Sequence, residues 1–377
     1  MTTILLSAGD DSGDLHAANL MRAIRRRAPD VRFVGHGMNR MLAAGLEPLV
    51  EEDEGSAMWL HNLLHLGRYR RRLQAMMAVL DGEGADLVLP VDFGGFNLHL
   101  CRRATARGVP VFYYIPPQVW AHGRYRLKKL RKWTDHCGLI YPFEPALYEE
   151  YGLDATFVGH PLFDEIRANP PRPEVVERLQ AQFGEQLVGV FPGSREHEVR
   201  AHIGLIDEAC RQVQKAVPDA RFAMLATERM HGLATDLLPA GCPVEPLQDV
   251  RPVELAPAAA ACVSKSGTVT LELASQGVPT VVFYHVGAFG RFHFHGLSDT
   301  PWLGLVNNAA GRMVQPERLV TARDAPWMAE HLVCFLTDET AARRCREATL
   351  ETVTSFGGPG ASQRAADAVM GCLDEAD

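Results

Sequence analysis

The stretch Val263-Ser-Lys-Ser-Gly-Thr-Val-Thr-Leu-Glu-Leu-Ala-Ser-Gln-Gly-Val-Pro279 decides the fold, because it contains a strand, a turn and a helix in quick succession. The apolar run up to Val263 predicts a strand, residues 264–268 predict a turn, and the apolar residues of 269–274 have helical spacing. Gly277 ends this helix, and residues 280–284 predict a second strand. Such a unit predicts a parallel α/β sheet.

The turn in this stretch has the features of a phosphate site. Ser266, Gly267 and Thr268 are small, and the helix after them would present unbonded backbone N–H groups and the positive end of its dipole. Glu272 lies one helical turn beyond Thr268 on the same side, where it could accept hydrogen bonds from ribose hydroxyls. The alternative is an ordinary crossover whose Ser and Thr only cap the helix. These residues alone leave both interpretations open.

Length and composition predict a soluble protein with two domains. The chain has 377 residues, of which 47% are hydrophobic and 22% are charged. It shows no apolar run near the ~20 residues of a transmembrane helix, and no basic segment typical of a signal peptide. The eight cysteines are scattered without a C-x-x-C pair, which favours a reducing compartment over a disulfide framework or a zinc site.

The charge distribution bears on the partners. A net charge of −8 argues against a nucleic-acid partner. Basic residues are nonetheless clustered at 68–72 and 124–132, either as solvated helix faces or as a surface that docks on anionic membrane lipid. The apolar segment 55–66 also has two interpretations, a core helix or an exposed helix that contacts lipid.

The first half of the chain alternates strands and helices, which predicts a parallel sheet with helices on both faces. Residues 9–14 form a tight turn between the first strand and a helix over 15–27. This turn lacks G-x-G-x-x-G, and its acidic residues Asp10, Asp11 and Asp14 would repel a pyrophosphate. We therefore expect no dinucleotide site at this end.

Asp92 stands at the end of the apolar strand 86–92, before the turn 93–97. Ligands bind at the carboxyl ends of strands in sheets of this kind. An Asp before Gly-Gly often only caps the next turn. An apolar environment, however, raises a carboxyl pKa and would suit Asp92 to act as a general base.

The segment Asn169-Pro-Pro-Arg-Pro173 is the clearest linker in the chain. We expect one domain at 1–168, a second at 174–353, and a terminal helix within 354–377 that packs back on the first domain.

A second small-residue turn, Gly193-Ser194-Arg195, follows the strand 187–191. Arginine adds a bidentate fork for phosphate, so two such turns in one domain favour a diphosphate site. The region 285–317 reads as irregular, and His285, His293 and His295 lie close together in sequence. No acidic or Cys ligand has a suitable spacing from them, so we expect no metal site.

Several segments, in one order along nearly the whole chain, resemble a single family. They are Ala8-Gly-Asp-Asp-Ser-Gly-Asp14, Val91-Asp-Phe-Gly-Gly-Phe-Asn-Leu98, Val111-Phe-Tyr-Tyr-Ile-Pro-Pro-Gln-Val-Trp-Ala121, Pro142-Phe-Glu144, Val158-Gly-His-Pro-Leu162, Phe191-Pro-Gly-Ser-Arg195, Ser266-Gly-Thr-Val-Thr-Leu-Glu272 and Asn307-Asn-Ala-Ala-Gly-Arg312. Together they resemble the lipid-A-disaccharide synthases, which are inverting glycosyltransferases with the GT-B fold.

The resemblance implies two Rossmann-like domains with parallel sheets that face each other across a cleft, the acceptor binding to domain 1–168 and the UDP-sugar donor to domain 174–353. It also implies transfer of a 2,3-diacylglucosaminyl group from UDP to 2,3-diacylglucosamine 1-phosphate, giving the β-1,6 disaccharide and UDP, without a metal or cofactor. The family works as a peripheral protein on the cytoplasmic face of the inner membrane. A homodimer is among the states that the resemblance allows.

The resemblance also assigns residues. Asp92 matches the essential Asp, which would take the proton from the acceptor hydroxyl, and Arg195 matches the arginine that would stabilise the leaving diphosphate. The remaining donor-side matches are Gly193, Ser194, Ser266, Gly267, Thr268, Glu272, Asn307 and Glu317. The expected acceptor-side residues are Ser12, Gly13, Asp14, His16, Asn97, Met58 and Trp59. His16 is an alternative or helper base, or else a residue of the capping turn.

The chain departs from the family pattern at Trp59, Asn62, His285 and Val320, which bears on the acyl-sugar substrates rather than on the fold. Two other functions compete with the transferase. One is a UDP-sugar 2-epimerase, which can share the architecture but needs no lipid surface. The other is a non-catalytic protein that binds lipid or nucleotide sugar, against which Asp92, Arg195 and Glu272 argue.

Overall fold

The computed structural model describes residues 1–50, 61–82, 84–121, 123–286 and 300–374, with only the backbone for 61–66 and 68. The chain divides into two compact units, Met1–Asp164 with Gly357–Asp377, and Glu165–Phe356. Met58, Trp59, His293 and His295 lie outside the described residues. Within the described ranges, no helix is long and apolar enough to cross a membrane.

The first unit is built on parallel strands that alternate with helices. Its strands are β1 (Thr3–Ser7), β2 (Arg32–His36), β3 (Leu46–Pro48), β4 (Leu87–Pro90), β5 (Phe112–Tyr114), β6 (His136–Leu139) and β7 (Ala155–Phe157). Its helices are Asp11–Arg27, Asn39–Ala43, His61–Asp81, Gly94–Thr105, Leu127–Trp133, Glu144–Glu150 and Ala361–Asp374, and helix Leu162–Ala168 spans the division between the units.

The strands of the first unit run in the order β3-β2-β1-β4, followed by β5-β6-β7. Parallel bridges from Val88 to Val111 and from Val91 to Tyr114 join β4 to β5. The order therefore reverses between β1 and β4, and ligands bind at the carboxyl ends of strands at such a reversal. In this unit the reversal brings Ser7 and Asp92 to one edge of the sheet.

The second unit repeats the architecture. Its strands are β8 (Leu187–Phe191), β9 (Arg221–Met224), β10 (Val244–Pro246), β11 (Ala261–Lys265), β12 (Thr280–His285) and β13 (Glu317–Val320). Its helices are Pro173–Phe183, Glu196–Ala216, Glu228–Asp236, Pro252–Ala258, Val269–Ser275, Leu305–Ala310, Ala325–Thr337 and Glu339–Thr354. The order β10-β9-β8-β11-β12-β13 reverses between β8 and β11, which are the strands that precede the two small-residue turns.

Apolar periodicity explains why these elements form a core. In Glu196–Ala216, the buried residues Val199, Ile203, Ile206, Cys210 and Val213 recur at helical spacing and pack on the buried strands β8 and β9. The strands are apolar on both faces, as expected for a parallel sheet covered by helices. The predicted α/β class with parallel sheets is confirmed.

Three local predictions were wrong in detail. The first long helix begins at Asp11 rather than at residue 15, because the Asp10 carboxylate accepts the backbone N–H of Gly13 at 2.7 Å and caps it. Helix Gly94–Thr105 likewise begins within the predicted turn 93–97. The supposedly irregular region 285–317 contains the helix Leu305–Ala310.

The Pro-rich segment near the start of the second unit is fixed by polar contacts. In the Pro-rich segment, Arg172 binds the fully buried Glu254 at 2.7 Å, and Arg251 binds the same carboxylate at 2.6 Å. Arg251 also donates to the carbonyl oxygens of Asn169 and Pro170. The two guanidinium groups outweigh the effect of burial and hold the pKa of Glu254 well below its usual range. Residues 169–172 are therefore anchored to the second unit.

The C-terminal helix Ala361–Asp374 packs against Asp11–Arg27. The Asp164 carboxylate accepts the backbone N–H groups of Gly360 and, at 2.8 Å, of Ser362, which caps the start of this helix. Arg364 donates to the carbonyl oxygen of Val158 at 2.7 Å. The chain thus returns to the first unit through specific polar contacts.

Candidate active site

Asp92 lies in a backbone conformation that few residues adopt. Both Asp92 and Phe93 have positive φ angles, 48° and 49°. Left-handed backbone at a residue other than glycine costs about 1–3 kcal/mol and persists only where surrounding contacts enforce it. Such strain is concentrated at functional sites, so the conformation of this turn supports a role for Asp92.

Asn97 enforces this turn. It is fully buried, and its Nδ2 donates to the carbonyl oxygen of Asp92 at 2.8 Å and to that of Ser7 at 3.2 Å. Its Oδ1 accepts from the hydroxyl of Ser7 at 2.6 Å. Tyr113 donates its phenolic hydroxyl to the same Asp92 carbonyl at 2.7 Å. Asn97 therefore links the end of β1 to the turn after β4 and holds the backbone of Asp92 in place.

The aromatic ring of Phe93 is fixed on the other side of the turn. Its centroid lies 5.7 Å from that of Tyr69 and 5.6 Å from that of Phe96. A Cβ on Gly9 would lie 2.4 Å from the Phe93 ring, so only glycine fits at that position. The turn is thus held both by hydrogen bonds and by packing.

The carboxyl group of Asp92 is suited to act as a base near neutral pH. Burial raises its pKa from 3.8 to about 6, the negative charge of Asp10 adds to the rise, and the hydrogen bond from the Phe93 N–H opposes it. A base is most effective when its pKa lies near the working pH. Asp92 therefore remains ionised at neutral pH and is a stronger base than an ordinary aspartate.

Ser12, Gly13, Asp14 and His16, four further predicted acceptor-side residues, lie in the first helix. Ser12 and Gly13 form its first turn around Asp10, at 3.2 Å and 2.7 Å from the Asp10 carboxylate. Asp14 is buried, and its carboxylate accepts the backbone N–H groups of Met38 and Arg40 at 2.7 Å and 2.9 Å. The Asp14 carboxylate therefore fastens the helix Asn39–Ala43 to the first helix.

His16 lies on the same helix. Burial lowers the pKa of His16 to about 4, although the charges of Asp10 and Asp164 oppose the shift. Within the described part of the chain, its buried Nδ1 has no hydrogen-bond partner. A neutral imidazole with so low a pKa is a weaker base than the Asp92 carboxylate, so its chemistry favours Asp92 over His16 as the proton acceptor.

An apolar cavity of about 660 Å³ adjoins the Asp92 turn. Its walls are the rings of Tyr69, Phe93 and Phe96 together with Leu73. Arg70, Arg103 and His99 also line it, along with Gly95. The cavity combines an apolar interior with cationic residues.

In the second unit, the turn Gly193-Ser194-Arg195 follows β8 and precedes the long helix Glu196–Ala216. Gly193 has a φ of 122°, and a Cβ there would lie 2.8 Å from the Glu198 carboxylate, so the turn requires glycine. The Arg195 side chain is 69% exposed. This turn presents an exposed cation, with Arg195 Nη1 3.8 Å from Glu198 Oε1, and the positive end of a 21-residue helix.

The turn 266–268 follows β11, the neighbouring strand. Ser266 donates its hydroxyl to the carbonyl oxygen of Leu303 at 2.7 Å, so this side chain fixes the adjacent loop. Glu272 is half-buried, and within the described ranges no group donates a hydrogen bond to its carboxylate. Burial raises the pKa of Glu272 to about 7, although the positive charge of Arg251 opposes the rise. Its carboxylate is available to a ligand.

Asn307 and Glu317 have a different environment from the one expected of ligand-binding side chains. The Glu317 carboxylate accepts the backbone N–H groups of Leu303 and Gly304 at 2.6 Å and 2.8 Å and the Nδ2 of Asn307 at 2.8 Å. Asn307 also accepts from the N–H of Val314 at 2.7 Å. These contacts hold the loop before the helix Leu305–Ala310.

Sequence reasoning missed Glu198 and Lys265. Lys265 Nζ lies 2.9 Å from Glu198 Oε1, and Ser194 donates its N–H to Glu198 Oε2 at 3.1 Å. Burial alone would raise the pKa of Glu198, but Lys265 and the other donors outweigh it and lower the pKa. The sequence signal that could have found Lys265 is its position at the end of an otherwise apolar strand. Its partner Glu198 is far away in sequence, so the pair itself could not be found in this way.

Comparison with known proteins now decides the family. The model of the lipid-A-disaccharide synthetase family matches residues 4–370. The chain belongs to the lipid-A-disaccharide synthetase family. It is 35% identical over 373 residues to the lipid-A-disaccharide synthase of Geobacter sulfurreducens, covering 98% of this chain and 97% of that protein. It is 34% identical over 321 residues to that of Coxiella burnetii, covering 84% and 82%.

Solved structures of similar fold agree with the GT-B class. S. aureus MnaA with UDP has a TM-score of 0.68 at 13% identity, covering 99% of this chain and 97% of that one. The calicheamicin glycosyltransferase CalG4 has a TM-score of 0.58 at 17% identity, covering 99% and 98%. At these identities the likeness shows the fold alone. The family match favours a transferase over the epimerase and the non-catalytic protein considered from the sequence.

The charge of Asp10 gives a prediction about pH. Asp10→Asn keeps an oxygen that can cap Gly13 but removes the negative charge that raises the pKa of Asp92. With the ionised Asp92 carboxylate acting as the base, the acidic limb of the kcat/KM profile should move to lower pH. Asp11→Asn, the change of an exposed neighbouring acid, is the control and should leave the limb in place. If the acidic limb of Asp10→Asn stays where it is in wild type, the Asp10 charge does not raise the pKa of the catalytic group, and the prediction is wrong.

Proposed function

We propose that this chain transfers a 2,3-diacylglucosaminyl group from UDP to the 6-hydroxyl of 2,3-diacylglucosamine 1-phosphate, with inversion. The products are the β-1,6-linked lipid A disaccharide and UDP. Membership of the lipid-A-disaccharide synthetase family makes the chain a hexosyltransferase of lipid A biosynthesis. The observation that carries the detailed mechanism is the strained, half-buried Asp92 at the end of β4.

Asp92 is the general base in this proposal. It removes the proton from the acceptor hydroxyl as that oxygen attacks the anomeric carbon, and the bond to the UDP oxygen breaks with its electron pair on UDP. General-base catalysis of this kind contributes about 10²–10⁴-fold. Asn97 acts through Asp92 as a positioning residue, since it bonds the backbone of that turn.

The second unit handles the donor in this proposal. Arg195 and the first N–H groups of the helix Glu196–Ala216 face the diphosphate, whose charge grows as it leaves. One well-placed donor to a developing negative charge is typically worth about 3–4 kcal/mol. Turn 266–268 contributes the backbone N–H groups of Gly267 and Thr268, since that of Ser266 donates to the Phe283 carbonyl oxygen. Glu272 accepts from the ribose hydroxyls. Asn307 and Glu317 support the site by fixing the loop 303–304.

The acyl chains of the acceptor bind, we propose, in the cavity beside Asp92. Tyr69, Leu73, Phe93 and Phe96 provide apolar walls, and each buried methylene contributes about 0.8 kcal/mol. The cationic residues of the cavity suit the phosphate of the acceptor. Ser12, Gly13, Asp14 and His16 support this side through the first helix.

We further propose that the enzyme docks on the cytoplasmic face of the inner membrane through the first unit. The helices His61–Asp81, Gly94–Thr105 and Leu127–Trp133 pack side by side. In the third of these, Leu127 and Leu130 are buried, whereas Lys128, Lys129 and Lys132 are exposed. Each basic residue near an anionic surface contributes about 1 kcal/mol. The cationic helix packs on Gly94–Thr105, which lines the cavity.

The function is tested by product analysis. Mass spectrometry should detect the tetra-acyl disaccharide phosphate from UDP-2,3-diacylglucosamine with the acyl-sugar phosphate, and no turnover of UDP-N-acetylglucosamine alone. In Asp92→Asn, transfer should fall by about 10²–10⁴-fold because the base is lost, while UDP binding persists. Near-normal transfer in this variant would refute the assignment of the base. Turnover of UDP-N-acetylglucosamine alone would instead support an epimerase.

Filling the cavity should impair the acceptor selectively. Leu73→Trp occupies space that the acyl chain needs, so the KM for the acceptor should rise about tenfold, as expected from the loss of about two buried methylenes. The affinity for UDP should not change. Leu42→Trp, at a 41% exposed leucine of the same unit, is the control. A parallel loss of UDP affinity, or an unchanged acceptor KM, would exclude the cavity as the acyl site.

Membrane docking is tested with vesicles. At low salt the protein should sediment with vesicles that contain phosphatidylglycerol but not with pure phosphatidylcholine, because the attraction is electrostatic and screened by salt. Reversing the charges at Lys128, Lys129 and Lys132 to Glu should abolish sedimentation. The control Lys215→Glu changes an exposed lysine of the second unit and should have no effect. Equal sedimentation of the triple variant would disprove this docking surface.

A further inference from the structure

Lys265 places a positive charge at the point where the second sheet reverses its order. Its Nζ lies 2.9 Å from Glu198 Oε1 and 5.6 Å from the centroid of the Tyr284 ring. It also lies 3.7 Å from the position that a Cβ on Gly267 would occupy. The side chain is only 15% exposed. The ammonium is therefore enclosed by the 266–268 turn, by β12 and by the helix that follows Arg195.

Glu198 connects this ammonium to the other turn. Its side chain is 3% exposed, and its Oε2 accepts the backbone N–H of Ser194 at 3.1 Å. The positive φ of Gly193 lets the turn close against the same carboxylate. One buried carboxylate thus holds both the Gly193-Ser194-Arg195 turn and Lys265.

Stability alone does not account for this pair. Removing two charges from water costs several kcal/mol per ion, and an apolar pair of similar volume is often equally stable. The pair does, however, place a positive charge between the two small-residue turns. The backbone N–H of Ser194 donates to Glu198 and is not available to a phosphate. The positive charge near this turn therefore comes from Arg195, from Lys265 and from the first N–H groups of the long helix.

We propose that Lys265 binds the diphosphate of the donor alongside Arg195. In this proposal Glu198 is a positioning residue, which holds Lys265 and the Gly193-Ser194-Arg195 turn at a fixed distance from each other. The proposal rests on the proposed function, since it names a further residue of the same donor site. The ligand class is a nucleoside diphosphate. A compact ammonium held in place complements the exposed, forked guanidinium of Arg195.

The first test compares binding of UDP and uridine by calorimetry. Lys265→Met should weaken UDP binding by about tenfold to a hundredfold, the usual effect of losing a hydrogen bond to a charged group, and should leave uridine binding unchanged. Lys265→Arg should retain most of the UDP affinity because it keeps the charge. The control Lys215→Met should behave as wild type. A UDP affinity in Lys265→Met within about twofold of wild type would overturn the proposal.

The second test separates charge placement from packing. The double variant Glu198→Leu with Lys265→Met removes both charges, so it should recover the thermal stability lost in the single variants. Its UDP affinity should remain weak. Recovery of UDP affinity together with stability would show a structural role only and would overturn the proposal.

If wild type binds UDP but makes no disaccharide, the proposed function fails and this inference stands. If wild type binds no UDP, both fail.

Discussion

The left-handed turn at Asp92 and Phe93 is the constraint on which the chemistry of the first unit depends. A turn of two such residues is unfavourable by itself, and the Asn97 amide, the Tyr113 hydroxyl and the packed ring of Phe93 enforce it. The turn therefore fixes the backbone of Asp92, the base of the proposed mechanism. The Asp92 side chain is half-buried there, and this burial raises its pKa.

The two units use the same topological feature with opposite charge. Each has a parallel sheet whose order reverses once, and the residues that follow the two central strands meet there. In the first unit these residues supply a carboxylate, which suits removal of a proton. In the second unit they supply Arg195, Lys265 and the start of a long helix, which suit an anionic leaving group. The fold provides the position, and a few side chains decide the chemistry.

Sequence reasoning identified the parts of the site that are local in the chain. The α/β class, Asp92 at a strand end and the Gly193-Ser194-Arg195 turn follow from apolar runs that stop at small or charged residues. Contacts between distant residues could not be predicted in this way. The link from Glu198 to Lys265 joins two turns, and the effect of Asp10 on Asp92 joins two strand ends. From the sequence, Asp10 is interpreted only as a charge that would repel a pyrophosphate. In the structure its charge raises the pKa of Asp92.

The central claim is that the turn holds Asp92 as an ionised carboxylate with a raised pKa. Carbon-13 NMR of protein labelled at the aspartate carboxyl carbons measures this directly, with the Asp92→Asn variant to assign the resonance. The account predicts a titration midpoint at about 6. A midpoint at or below the ordinary value of 3.8 would contradict it, because a carboxylate of that pKa would not experience the burial and the Asp10 charge described above.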